Sequence, residues 1–100
     1  MHKVKYSNQA EIDLHNAITY ISKESVSIAL EYLSGYEDTI ELLQRNPLMG
    51  TECKTKLIQR DCRVLLYKSH LIIYKINSQK NEIFIIRIHH HSEDYKSTFS

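Results

Sequence analysis

The chain is short of the residues that interrupt regular structure: only 2 of its 100 residues are Gly and 1 is Pro, which leaves no room for a flexible linker or a low-complexity tract. Cysteine is scarce too. Cys53 and Cys62 form no CxxC pair, and a zinc site needs about four ligands at closer, paired spacings, so neither a metal nor another cofactor is expected. In a reducing compartment a disulfide is not expected either, and the two cysteines read as one loop thiol and one small strand residue. No apolar run approaches the ~20 residues that span a bilayer, so no membrane association is expected. The first seven residues, Met1 to Ser7, have no hydrophobic stretch after their basic side chains and do not read as a secretory signal. The expected location is therefore the cytoplasm. With 42% hydrophobic and 25% charged residues and no internal repeat, residues 1–100 read as one small globular domain.

An excess of either charge is lacking as well, since the formal net charge is +1, but the charges are unevenly placed. Residues 1–52 carry four basic and eight acidic side chains, a net of −4, while residues 53–100 carry nine basic and four acidic, a net of +5. A basic second half suits an anionic partner, either nucleic acid or an acidic protein surface. A solvated, Lys-rich sheet face gives the same imbalance.

Residues 2–7 alternate, with Val4 and Tyr6 on one side and Lys3 and Lys5 on the other. That is a half-buried strand whose lysines also guard an edge. Asn8 can cap a helix, with Glu11 three residues on as in a capping box. Ala10, Leu14, Ala17, Ile18 and Ile21 follow at helical spacing, so a helix is expected from about residue 9 to residue 21 or 22, with His15 at or near its surface. Residues 22–25 read as a break. A second helix carries Val26, Ala29, Leu30, Leu33, Tyr36, Ile40 and Leu43 as one stripe and stops at Asn46-Pro47, because proline disfavours helix in the residue before it. Residues 48–61 are polar and irregular, with Gly50 in the turn out of the helix and Lys54, Lys56 and Arg60 on a loop or frayed strand. Residues 62–95 hold three β-branched and apolar runs separated by Ser69-His70 and by residues 77–81, which predicts an antiparallel meander. The fold class is α+β in the order β-α-α-β-β-β: a two-helix antiparallel hairpin packed on a mostly antiparallel four-stranded sheet. The last strand starts apolar and ends in Arg87, His89, His90 and His91. A buried strand has no use for so many titratable groups, so this end is expected to surface at a site. Strand alternation puts His89 and His91 on one face and His90 on the other.

These residues resemble the RelE/ParE superfamily, the toxins of bacterial type II toxin–antitoxin pairs, over essentially the whole chain. The resemblance rests on the first helix, residues 10–21; on Asn46-Pro47-Leu48-Met49-Gly50, similar to the family's P-x-x-G turn; on Arg63; on residues 69–75; and on Ile86-Arg87-Ile88-His89-His90, with Asp94 four residues on. The last two blocks are similar to the ParE branch, where Ser-His precedes an apolar-Tyr-basic strand and the final strand ends in Arg-Ile-x-His. That branch implies a toxin that inhibits DNA gyrase and is neutralised by a cognate antitoxin. The RelE branch implies instead an endoribonuclease that cuts messenger RNA on the ribosome.

Attack by a ribose 2′-OH needs a base, cations for the phosphate and an acid for the leaving oxygen. In RelE-type toxins a cluster of Lys and Arg on the middle strands helps supply these, with a Tyr near the C-terminus. By resemblance Tyr95 falls at that Tyr and His89 at a catalytic Arg. Cys62, Val64 and Leu71 stand where three basic residues would, and Arg63 is out of phase by one, which turns it to the other face of the sheet. The candidates for ribonuclease chemistry are thus His89, His90, His91, Tyr95 and Arg87, histidine serving as acid, base or phosphate contact near neutral pH. For target or antitoxin binding they are Arg63, Arg87, His90, Tyr95, Lys54, Lys56 and Arg60. His89-x-His91 has no carboxylate or cysteine paired with it in sequence and is not expected to hold a metal. The antitoxin is expected to cover a strand edge and the groove between helices and sheet, with an acidic tail crossing the basic half.

Overall fold

The computed structural model describes residues 1–53 and 62–91. A short strand β1 (Lys3–Tyr6) leads into helix α1 (Asn8–Glu24), and the junction is made by Ser7. Its Oγ accepts the Ala10 N–H at 2.9 Å and donates to the Ile86 carbonyl at 2.6 Å. The cap is therefore Ser7 and not Asn8. Glu11 lies in the first turn, where the positive end of the helix dipole favours it, without closing a capping box. α1 also runs past the expected break. Only Ser25 separates it from α2 (Val26–Arg45): its N–H bonds the Ile21 carbonyl, and its Oγ accepts the Ile28 N–H at 3.2 Å. One serine thus ends one helix and caps the next.

α2 buries Ala29, Tyr32, Tyr36, Ile40 and Leu43. The expected stripe was misplaced at its start. Val26 and Leu30 are each 63% exposed, and Tyr32 takes the core position. At about 100° per residue, Val26 and Leu30 fall to one side of the line set by Ala29, Tyr36, Ile40 and Leu43. After α2 a 3₁₀ turn (Pro47–Met49) leads to β2 (Thr51–Glu52), then β3 (Arg63–Tyr67), β4 (His70–Asn77) and β5 (Glu82–His90). The sheet has five strands rather than four, in the order β1-β5-β4-β3-β2, because β2 pairs with β3 inside the stretch read as irregular. β1 runs parallel to β5 and the other pairings are antiparallel.

Both helices lie on one face of the sheet. Their stripes close over Tyr67, Ile72, Tyr74, Ile83, Ile85 and Ile88, with Leu14, Ile18, Ile21, Val4 and Tyr6 packed around. Complete burial of each such aliphatic side chain contributes about 1.5–3 kcal/mol. The buried tyrosines find partners for their hydroxyls: Tyr6 with Tyr36 at 2.9 Å, and Tyr67 with the Tyr32 carbonyl at 2.8 Å. Tyr74 fixes the turn after α2, donating to the Pro47 carbonyl at 2.7 Å and accepting the Gly50 N–H at 3.0 Å. A Cβ on Gly50 would stand 2.6 Å from that hydroxyl, so the close approach requires glycine.

The opposite face carries a smaller cluster of Cys53, Cys62 and Ile73, with Val64 and Ile86 against it. Cys53 and Cys62 are joined by a disulfide, with Cα atoms 5.5 Å apart. This overturns the reading of two separate thiols. That reading considered the compartment; the β2–β3 ladder places Thr51 opposite Val64 and Glu52 opposite Arg63, which brings the next pair, Cys53 and Cys62, face to face. Lys54, Lys56, Arg60 and Tyr95 lie outside the described residues.

Candidate functional site

The histidines meet at one corner of the sheet, where β4 begins and β5 ends. β3 and β4 are joined by the two residues Lys68 and Ser69, with Lys68 in the left-handed region at φ 49°. So tight a turn pairs Tyr67 with His70, and the β4–β5 register places His70 opposite His90. The His70 and His90 rings meet edge-on with centroids 5.4 Å apart. His91 lies just past the strand end, its N–H bonded to the Ser69 carbonyl at 2.7 Å, and its ring is 4.8 Å from that of His90. The two rings touch at a tilt of 45°, so the strict alternation expected across His89, His90 and His91 stops where the strand stops. His89 is buried, 6% exposed, and does not surface as expected. It sits opposite Leu71 within the β4–β5 ladder.

A tyrosine from the helix layer completes the corner. The Tyr32 hydroxyl and His70 Nδ1 are hydrogen-bonded, and Ser69 Oγ lies 3.4 Å from the same nitrogen. Burial first, and the neighbouring Tyr67 second, push the Tyr32 hydroxyl up to about 12, against a lowering by Ser69. Tyr32 therefore keeps its proton at neutral pH and donates it to His70 Nδ1 when the imidazole is neutral. The imidazole proton then sits on Nε2. Lys68 brings a cation to the same place, its Nζ 5.7 Å from the centroids of both the Tyr32 and Tyr67 rings. A groove of about 570 Å³ opens beside this corner, between α1 and the strand ends, lined among others by Asn16, Tyr20, Ser69, His70 and His90.

Arg87 has a partner in α1, Asp13, which lines this groove. Its Nε donates to Asp13 at 2.8 Å and a terminal nitrogen to the second oxygen at 3.2 Å; the Ile88 N–H adds 2.9 Å. The cause is topological. β1 ends at Tyr6, opposite Ile85, so β5 beyond that point has lost its parallel neighbour. Ser7 and Asp13 satisfy the Ile86 carbonyl and the Ile88 N–H in its place. Burial raises the Asp13 carboxyl, but the bonds from Arg87 and Ile88 outweigh it and hold the group below the usual aspartate range.

Arg63 is not brought to this corner. It lies at the other end of β3, donating to the Gly50 carbonyl at 2.8 Å, to the Leu48 carbonyl at 3.3 Å, and to Glu52 at 3.5 Å. The structure thus gathers His90 and His91 with Tyr32, Ser69 and His70, and pairs Arg87 with Asp13, which lines the same groove. Sequence reasoning missed Tyr32 and Asp13, and used Ser69-His70 only as a strand break and a family mark, whereas His70 opens β4. The two-residue turn before His70 was the signal that it pairs with the end of the last strand. Among the described residues, no group of three or more His, Cys, Asp or Glu side chains is disposed to hold a metal, and no helix is long and apolar enough to cross a membrane.

A helix hairpin on one face of a mixed, mostly antiparallel sheet matches the fold of the RelE/ParE toxins. The chain is similar to the chromosomal ParDE toxin–antitoxin system of P. aeruginosa (19% identity, TM-score 0.69, 90% of this chain and 96% of that one). It is likewise similar to the RelBE2 toxin–antitoxin complex of Mycobacterium tuberculosis (22% identity, TM-score 0.60, 89% and 96%). A metal-bound toxin from Helicobacter pylori is 25% identical, with a TM-score of 0.58 over 92% of this chain and 97% of that one. No curated protein matches the sequence. The family model for the ParE toxin of the type II toxin–antitoxin system parDE matches residues 4–95, and the chain belongs to that family, within the RelE/ParE superfamily.

Proposed function

We propose that this type II toxin acts in the ParE manner, by binding and inhibiting DNA gyrase, and that a cognate antitoxin neutralises it. One observation carries the choice of target. The sheet face on which RelE-type toxins gather cations is apolar here at the middle strands: Cys53, Cys62, Val64, Ile73 and Ile86 form a packed cluster. Among the described residues, that cluster offers no charged side chain to stabilise a phosphate in an RNA transition state. The matched family model and the ParDE neighbour support the same reading. Purified chain is expected to inhibit supercoiling by gyrase or to trap its cleavage complex; if neither occurs, the proposal fails. Growth arrest on expression alone, relieved by co-expression of the adjacent small gene product, tests the antitoxin half separately.

The histidine corner favours a second reading, a ribosome-dependent messenger-RNA interferase. His70 is held by Tyr32 and meets the His90 ring edge-on beside a groove, the arrangement of a positioned acid–base group. Translating ribosomes would then accumulate cuts in A-site codons. Unchanged cutting after joint replacement of His90 and Tyr95 would rule out those two residues.

A further inference from the structure

The far end of the open sheet face carries a row that neither the histidine corner nor the toxin reading uses. Lys5, Phe84 and Lys75 are direct neighbours across three adjacent strands: Phe84 pairs with Lys5 in the β1–β5 ladder and with Lys75 in the β4–β5 ladder. Their chain neighbours Val4, Tyr6, Tyr74, Ile76, Ile83 and Ile85 all pack in the core beneath the helices. Alternation along each strand therefore turns the three to the open face. Phe84 is 40% exposed. Lys3, two residues before Lys5, shares that face and is exposed. Glu82 partly offsets them, 3.0 Å from Lys5 Nζ. A groove of about 460 Å³ runs alongside, lined by Lys5, Lys75 and Phe84 and by the polar side chains of Asn77, Ser78 and Gln79.

Edge protection accounts for lysines on β1, the outermost strand. It accounts neither for a phenylalanine left open on β5, the next strand in, nor for a lysine beside it on β4. We propose that Lys5, Phe84 and Lys75 form a binding platform for single-stranded RNA. An unpaired base stacks on the Phe84 ring, and the two ammonium groups take phosphates on either side. A duplex cannot use the ring, because its bases are already stacked on each other. An acidic peptide would use the lysines but has no call on the phenyl face. RNA is favoured over DNA by the Asn77, Ser78 and Gln79 side chains beside the ring, which offer donors and acceptors to a 2′-hydroxyl. The platform does not depend on whether gyrase or the ribosome is the target.

The test is fluorescence anisotropy of a labelled 12-nucleotide oligoadenylate with the intact chain at low ionic strength. Phe84→Leu is expected to weaken binding about 5-fold or more, the lower end of what one stacked base contributes, and Phe84→Tyr to preserve it. Replacing Lys5 and Lys75 together by Gln should flatten the dependence of log K on log salt by about 0.7 per lysine. Circular dichroism melting curves matching the parent for all three variants keep loss of fold out of the result. Full binding by Phe84→Leu reduces the row to a plain charge patch and overturns the proposal. So does no binding at low salt, equal binding of duplex RNA, tighter binding of an oligoglutamate peptide, or equal or tighter binding of oligodeoxyadenylate.

Discussion

The two faces of this sheet are stabilised by different means. The helix-covered face is a continuous core in which even the tyrosines are enclosed and their hydroxyls are bonded to one another or to carbonyls. Burial pushes the Tyr6 and Tyr36 hydroxyls up, so that pair stays protonated and neutral. Among the described residues, the open face has a small apolar cluster around the Cys53–Cys62 bridge, and beyond it a row of lysines with Phe84. A chain of this size fills one core well and has little apolar material left for a second. The second face is accordingly held in part by a covalent link.

The sharpest way to break that contrast is at the bulge between Ile73 and Tyr74, where the two faces meet in consecutive residues. Tyr74 is fully buried under the helices and also pins the Pro47–Gly50 turn. Tyr74→Ala should destabilise by about 3–5 kcal/mol, from the lost contacts and the cavity left behind. Urea denaturation measures it, and a loss under about 1 kcal/mol would mean that the turn holds itself. On the open face the corresponding element is the disulfide, which closes a short loop with a sequence separation of 9. In the chain-entropy account a loop of that length contributes about 2–3 kcal/mol. Reduction under native conditions should lower the unfolding free energy by that amount, and Cys53→Ser with Cys62→Ser should reproduce it without added reductant.

The hairpin, the meander and most of the core were legible in the sequence, because period and turn residues carry them locally. Ser25 was hidden as a double cap because a helix break and a helix start overlap in one residue. β2 was hidden because two residues have no period. The cysteine bridge needed the β2–β3 register, and Tyr32–His70 needed both that of the meander and the rotation of α2. Arg87 stood out in the sequence as a cation on an apolar strand, but its internal partner lies 74 residues away and follows from where β1 ends.

That partner gives the next smaller effect and a pH signature. Asp13 accepts the Arg87 guanidinium and the Ile88 N–H together. Asp13→Asn should cost about 1–3 kcal/mol at neutral pH, since it weakens charge-assisted bonds and leaves the guanidinium short of one partner. The folded carboxyl is held below the ordinary value of 3.8, so its contribution is complete above that range. It is lost as pH falls through the unfolded value toward the lower folded one. The gap between parent and variant should therefore close below about pH 4. A constant gap down to pH 3 would show that the lost stability is packing and not charge.

The smallest effect, and the one closest to function, concerns Tyr32. Tyr32→Phe keeps the ring and its edge-on contact with Tyr67, whose centroid is 4.9 Å away, and keeps the backbone carbonyl that Tyr67 uses. Only the hydroxyl bonded to His70 Nδ1 is removed. The stability cost should be about 0.5–1.5 kcal/mol, that of one hydrogen bond. Nitrogen-15 spectra of the imidazole are the better readout. In the parent, neutral His70 should show an unprotonated Nδ1 and a protonated Nε2; in the variant the two tautomers should mix, because Ser69 at 3.4 Å is too distant to hold one. If the corner performs acid–base chemistry, RNA cleavage should fall far more than stability does. If the chain only grips gyrase, supercoiling inhibition should survive the substitution. An unmoved tautomer would mean that strand geometry and the His90 ring orient His70 by themselves, and that Tyr32 is there for the core.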